Sequence, residues 1–319
     1  MFFHRRQTER HFQEACSRPA AETHLCQGFA SAFVRAQDGL TLHVRRYGSR
    51  HASAHSVVCL PGLARTAADF HPLATALVAD PANPRLVLAL DYRGHGQSQY
   101  DRNPKNYAIR VALADLSAVL AAFEITSAIF VGTSFGGVLA MMLAALPPIA
   151  VTGVILNDIG PVMEPRGLMR IKSYVGKLPI ARNFEEGAEI LRWLFEAQFT
   201  KLAPQEWVAF AQRTWREGHG TLVPSHDPKL ERALRGYSLE RLPTLWDQFD
   251  ALARIPLMVI RGANSDMLAR PTLNEMLARR SQLEVVVVPD QGHAPLLAEP
   301  NVIRRVAAFV ASCDAPARD

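Results

Sequence analysis

Ile129-Phe130-Val131-Gly132-Thr133-Ser134-Phe135-Gly136-Gly137 is the stretch that organises this chain: a short apolar run ends in glycines set around one serine, and a helix-forming segment follows. The pattern reads as a strand, a sharp turn and a helix. Gly132 and Gly136 stand two residues before and after Ser134, where a serine held in a strained turn brings its backbone too close to its neighbours for larger side chains. Such a turn lifts the Ser134 hydroxyl clear of the sheet and aims the Phe135 N–H, at the helix start, toward the place where an oxyanion would form.

Outward from that turn, the bulk properties bound the possibilities. The chain has 319 residues and 49% hydrophobic content, enough for one large domain or a domain with an insertion. Lys+Arg 35 against Asp+Glu 30 gives a formal charge of +5, spread without a basic block, so the expectation is a solvated mixed surface and no nucleic-acid partner. Cys16, Cys26, Cys59 and Cys313 show no metal-ligand spacing, which suggests reduced thiols, no metal and a cytoplasmic setting. The start, Met-Phe-Phe-His-Arg-Arg-Gln, lacks an apolar signal region, and no run approaches the ~18 apolar residues of a membrane span.

In chain order, residues 1–28 read as a polar N-terminal arm. Alternation around Gln37-Asp38-Gly39-Leu40 signals a β-hairpin. Buried-strand runs at Ser56–Leu60 and Leu86–Leu90 flank a helix at Ala67–Val78. A helix at Leu113–Phe123, a strand at Ala128–Val131, a helix at Val138–Leu146 and a strand at Val151–Leu156 continue the rhythm. The expected class is α/β, with a mostly parallel, doubly wound sheet. From Pro161 to Arg241 the rhythm breaks into amphipathic helical segments, Met169–Val175, Ala188–Phe199 and Glu206–Trp215, with no strand run between them. Their aromatic stripe is Trp193, Phe195, Phe199, Trp207 and Phe210. The rhythm resumes with a helix near Leu245–Leu252, a strand Pro256–Ile260, a helix Thr272–Arg279, a strand Val285–Val288 and a helix Val302–Val310. The expected organisation is therefore an arm (1–28), a core (29–160 and 242–312), a helical insertion (161–241) and a polar tail (313–319).

A serine becomes a nucleophile when a base lies within hydrogen-bond reach and an acceptor fixes the base's tautomer. Of eleven histidines, His293 stands out in Gln291-Gly292-His293-Ala294-Pro295, just beyond a Val-rich strand. Asp266 follows the strand ending at Ile260, again at a C-terminal sheet edge where sites form. Ser134, Asp266 and His293 thus occur in the order Ser, Asp, His, each after its own strand. Asp158 also follows a strand and is the alternative acid. A second oxyanion donor is expected after the strand Ser56–Leu60, and the N–H of Leu63 in Pro61-Gly62-Leu63 is the candidate.

With these motifs, Asp91-Tyr92-Arg93-Gly94-His95-Gly96-Gln97-Ser98 and Gly262–Asp266, the chain resembles the serine α/β-hydrolases over about Phe33 to Val310. The resemblance implies Ser134 as nucleophile, His293 as base, Asp266 as its orienter, the Leu63 and Phe135 N–H groups as oxyanion hole, and a helical cap where the insertion lies. It also implies that the Asp91–Ser98 loop is mainly a structural turn. The commoner His-Gly before the oxyanion residue is Pro61-Gly62 here, and the elbow serine separates the chain from epoxide hydrolases and haloalkane dehalogenases, which use an aspartate there. The expected activity is cofactor-independent hydrolysis of a small or medium carboxylic ester through an acyl-enzyme. Carbon–carbon bond hydrolysis, enol-lactone or thioester cleavage are the alternatives within the same machinery, and a non-catalytic binding protein of this fold is the alternative outside it.

Overall fold

The computed structural model describes residues 28–144, 150–218, 220–235 and 242–314. The expected N-terminal arm, apart from Gly28, lies outside the described residues, as do Cys16, Cys26, Leu146 at the end of an expected helix, and Arg241 at the expected insertion boundary.

Chain order gives strands β1 (Ala30–Arg35), β2 (Thr41–Gly48), β3 (Ser56–Leu60), β4 (Leu86–Asp91), β5 (Ser127–Thr133) and β6 (Ala150–Asn157). These are followed by β7 (Trp215–Gly218), β8 (Thr221–Pro224), β9 (Leu257–Gly262) and β10 (Glu284–Val288). Eight of them form one sheet in the order β1-β2-β4-β3-β5-β6-β9-β10, antiparallel at β1/β2 and β2/β4 and parallel from β4 to β10. The Asp-Gly signal is the β1–β2 turn, where Asp38 Oδ1 accepts from Leu40 N at 3.2 Å.

Side chains alternate across the sheet with period two, so each central strand feeds two cores. Val58, Leu60, Phe130 and Val154 join one core with the helices Ile109–Ala122 and Phe135–Ala144. Val57, Cys59, Ile129, Val131 and Ile155 join the other with the helices His71–Ala79 and Pro300–Ser312. Both faces being covered, β3 is buried at every position and reads as an unbroken apolar run. The free thiols Cys59 and Cys313 lie in the second core, where burial pushes Cys313 up to about 11 and Cys59 higher still.

Two local expectations need correction. The helix expected over Ala67–Val78 is a 3-10 turn (Ala67–Phe70) followed by an α-helix (His71–Ala79), because Pro72 has no N–H to give and is accommodated only in a first turn. The segment between β6 and β9 also contains a hairpin, β7–β8, where only helices were expected. Its strands are four residues each, too short and polar to show alternation, and burial of Trp215 with its Nε1–H donating to Pro179 O at 2.9 Å anchors the first of them.

That segment carries helices Pro165–Tyr174, Phe184–Phe195, Pro204–Thr214 and Leu230–Arg235 and has a small core of its own, including Leu191, Phe195, Phe199, Trp207, Phe210 and Trp215. Backbone bonds tie it to the loop after β4: Gly96 N donates to Ser225 O and Asp227 N to Gly94 O, each at 2.7 Å, while Tyr107 O–H donates to Asp227 Oδ2 at 2.5 Å. Between those bonds sits His226, 2% exposed, its Nε2 accepting from Gly176 N at 3.2 Å. Among the described residues no helix is long and apolar enough to cross a membrane.

Burial, with smaller contributions from His95 and Arg65, pushes the His226 imidazole down to about 3. In the unfolded chain the same ring protonates near its ordinary value of about 6.5, so below that pH the unfolded state binds the extra proton and the folded state loses ground. Stability attributable to His226 is therefore present above about pH 6.5 and lost as pH falls toward 3. Thermal melts from pH 7 to pH 4 should show a shallower acid decline in His226→Gln than in the parent chain; equal slopes would refute the assignment.

Candidate active site

β5 ends at Thr133 and the helix Phe135–Ala144 begins two residues later, leaving Ser134 alone in the turn at φ 51°. A left-handed backbone at a residue with a Cβ costs on the order of 1–3 kcal/mol and persists only where neighbours over-determine it. Here Ser134 N donates to Asn157 O at 3.0 Å, and Gly137 N donates to Ser134 O at 2.9 Å. The flanking glycines are required by contact: a Cβ on Gly136 would stand 2.0 Å from Leu60 O, and one on Gly132 2.4 Å from Gly137 N.

Ser134 Oγ lies 2.9 Å from His293 Nε2, and His293 Nδ1 lies 2.8 Å from Asp158 Oδ2. A carboxylate can only accept, so Nδ1 carries the proton toward Asp158, and Nε2 is left to accept from the serine hydroxyl. Asp158 is fully buried at the end of β6 with φ 56°. Its Oδ1 accepts from Gly262 N at 2.8 Å, and its Oδ2 also accepts from the Ser265 hydroxyl at 2.5 Å.

The structure thus brings Ser134 and His293 together, and the carboxylate it places on His293 is Asp158, a correction to the expected Asp266. Asp266 makes no hydrogen bond to His293 and is held instead in a two-point ion pair with Arg170 of the helix Pro165–Tyr174 (Nε to Oδ2 2.7 Å, Nη2 to Oδ1 2.8 Å). The reason lies in strand order. β6 is the direct neighbour of β5, so Asp158 at its end lies beside the serine turn, and the loop after β9 gives its Ser265 hydroxyl to the Asp158 carboxylate while the next residue's carboxylate pairs with Arg170. Burial works to raise the Asp266 carboxyl, but the Arg170 hydrogen bonds and charge outweigh it and hold it below the usual carboxylate range.

Leu63 lines the same cavity as Ser134, and Phe135, the other expected oxyanion donor, follows Ser134 directly as the first residue of its helix. First-turn N–H groups have no intrahelical acceptor and are free for a ligand. The loop bearing Leu63 is held by His95, whose Nδ1–H donates to Arg93 O at 2.9 Å while Nε2 accepts from Ala64 N at 3.2 Å. His95 is 2% exposed and lies outside the cavity lining, a structural placement.

Two positioning residues escaped the sequence reading. Gln198 Oε1, from the inserted segment, accepts from His293 N at 2.9 Å, and Asn157 Nδ2 donates to Pro295 O and to Thr133 Oγ1, each at 3.0 Å. Neither sits in a motif; each matters only because of what the fold sets beside it.

The cavity, about 90 Å³, runs between the sheet edge and the insertion. Leu178, Leu191, Phe195, Phe199 and Phe210 supply an apolar wall from above, and Gly62, Leu63, Ser134 and His293 form the floor. Of the aromatic stripe, Phe195, Phe199 and Phe210 line it; Trp207 is buried behind them, and Trp193 is 79% exposed on the outside. Among the described residues no cluster of three His, Cys, Asp or Glu side chains is placed to hold a metal ion.

The chain is 34% identical over 261 residues to the 3-hydroxybutyrate-oligomer hydrolase of Cupriavidus necator, covering 79% of this chain and 87% of that protein. It is 24% identical over 255 residues to the 2-(acetamidomethylene)succinate hydrolase of Mesorhizobium japonicum, covering 80% and 85%. Among solved structures, an alpha/beta hydrolase from Novosphingobium aromaticivorans superposes with a TM-score of 0.82 at 36% identity, covering 89% of this chain and 98% of that one. The profile of the Alpha/beta hydrolase family matches residues 57–306. The chain is a member of the alpha/beta hydrolase family, an enzyme of the hydrolase class.

Proposed function

We propose that this hydrolase cleaves a small or medium carboxylic ester through an acyl-enzyme on Ser134. The observation that carries the reading is the unbroken relay Ser134 Oγ, His293 Nε2, His293 Nδ1, Asp158 Oδ2, with both links under 3 Å. Ser134 Oγ attacks the ester carbonyl carbon while its proton passes to His293 Nε2, and Asp158 stabilises the resulting imidazolium. The carbonyl oxygen becomes an oxyanion against the Leu63 and Phe135 N–H groups, since fixed backbone donors stabilise the charge that develops there. Collapse breaks the carbon–oxygen bond to the alcohol, which leaves with the His293 proton. Water then attacks the acyl-serine, gives a proton to His293, and releases the carboxylic acid and a free Ser134. An ester is favoured because an oligomer of a hydroxy acid, named in the 34%-identical relative, is itself joined by ester bonds. The segment over 161–241 is proposed to act as a lid that excludes water and sets acyl or alcohol size.

Ser134→Ala should lower kcat on p-nitrophenyl esters by on the order of 10⁴ or more and abolish labelling by a fluorophosphonate, because members of such a unit fail together. A folded variant that keeps a tenth of the parent kcat would rule out the acyl-enzyme.

Asp158→Asn should cost on the order of 10³ to 10⁴ in kcat, since the amide favours the wrong histidine tautomer. Asp266→Asn should leave kcat near the parent value but destabilise the fold by about 3 kcal/mol, because it strands the half-buried Arg170. The Asp266 carboxyl being held low in the folded state, its contribution is present at neutral pH and disappears as pH falls through that depressed value. Steady-state kinetics beside thermal melts of the two variants separate these roles.

Phe195→Ala or Phe199→Ala should shift kcat/KM between short and long acyl chains by ~1 to 3 kcal/mol, the usual value of one hydrophobic-pocket contact. Trp193→Ala, on the outer surface, should leave the chain-length profile unchanged. A chain-length series of p-nitrophenyl esters reads both.

A further inference from the structure

Within a cavity walled mostly by Leu and Phe, the charged side chains of the lining are Arg65, Asp69 and Arg213. Arg65 has a partner on every nitrogen: Nε and Nη2 bond both oxygens of Asp69, Nη1 donates to Thr214 Oγ1 at 2.7 Å, and the guanidinium stacks over Phe210 at 4.6 Å. Arg213, in the last turn of the helix Pro204–Thr214, meets the same carboxylate at longer range, its Nε 3.4 Å from Asp69 Oδ1, and its guanidinium lies 6.0 Å from the Phe210 ring. Among the described residues this is its one ion pair.

Two guanidiniums therefore share one carboxylate, leaving a net positive charge at one pole of an apolar cavity that also holds Ser134. An arginine that only complemented its helix dipole would extend into solvent. Arg213 instead has only 17% of its side chain exposed. Burial depresses its guanidinium, Asp69 acts the other way, and the neighbouring Arg65 adds like-charge repulsion. A buried cation with an incomplete counterion is stabilised by a second anion, and a guanidinium fork matches a carboxylate at two points.

We propose that Arg213 forms an anion subsite of this cavity and that the substrate is an ester bearing a free carboxylate, on the acyl or the alcohol side, which docks on Arg213 while its ester carbonyl meets Ser134. This rests on the ester-hydrolase reading above. Asp69 orients Arg213, and a neutral ester lacks the carboxylate that this guanidinium would take up. Phe195, Phe199 and Leu191 bound the apolar stretch between the two ends.

The test compares kcat/KM for matched pairs of anionic and neutral esters. On the acyl side these are mono-(4-nitrophenyl) succinate, glutarate and adipate, each beside its methyl-capped diester. On the alcohol side they are 3-(butyryloxy)butanoate beside its methyl ester. The parent enzyme should prefer the anionic member of at least one pair. Arg213→Gln should lower the anionic-to-neutral ratio about tenfold or more, and Arg213→Lys should restore part of it. A ratio untouched by Arg213→Gln, or a parent preference for the neutral member in every pair, overturns the proposal while leaving ester hydrolysis standing. Calorimetric titration of the same pairs into Ser134→Ala protein reads the subsite without catalysis and without altering Arg213. Tighter binding of an anionic member supports the subsite even if no ester is turned over, an outcome that would sink the ester-hydrolase reading alone; equal binding throughout overturns the subsite.

Discussion

The Asp158 carboxylate is the interaction on which the rest of the site depends. It is fully buried, and a buried carboxylate is tolerated only when its lone pairs are filled. The donors that fill them come from three places: Gly262 N at the end of β9, the Ser265 hydroxyl just beyond it, and His293 Nδ1 in the loop after β10. One side chain thus ties together the C-terminal ends of β6, β9 and β10 and holds the imidazole over the serine that follows β5. Removing its charge would disturb orientation and tautomer together, which is why the carboxylate's burial and the serine's position are one constraint.

A second constraint comes from the elbow. The Phe135–Ala144 helix packs against β3 and β5 so closely that backbone atoms occupy the space of a Cβ at Gly132 and Gly136. That close approach lets Ser134 adopt a left-handed backbone and stand at the sheet edge, with the start of the helix beside it. The loop carrying Leu63 is fixed from the other side by His95, itself pinned beneath Ser225–Asp227 of the insertion. Loops over the sheet edge and the inserted segment are therefore mechanically coupled, and Gln198 extends the coupling to the His293 loop.

The segment between β6 and β9 brings both apolar and charged side chains to the cavity. Its aromatic stripe divides by direction: three phenylalanines face the cavity, Trp207 buttresses them, and Trp193 points outward. Arg170 neutralises Asp266 from the insertion's first helix, while Arg213, at the end of its third, brings an incompletely paired cation to the cavity. Polarity in the cavity is thus asymmetric, apolar along the wall and positive at one pole.

Much of this was legible in the residues. Unbroken apolar runs marked strands buried on both faces, the Asp-Gly turn marked the opening hairpin, and the glycines around Ser134 marked a turn too tight for side chains, because each of these is a local property of backbone geometry. The histidine after the Val-rich strand was legible for the same reason: chain order and strand ends place it. The partner of that histidine was not, since Asp158 and Asp266 both follow strands, and the choice between them turns on β6 lying beside β5 and on Arg170 reaching Asp266 from a helix some hundred residues earlier in the chain. Short polar strands such as β7 and β8 left no periodic trace. Gln198, Asn157 and Arg213 carry no motif at all, and their places at the site arise only when the insertion folds over the sheet. The order of residues marks the candidate serine, histidine and carboxylates and the strand ends that carry them; which of these meet is settled only on folding, because hydrogen bonds and ion pairs form between neighbours in space, and strand order rather than chain order sets those neighbours.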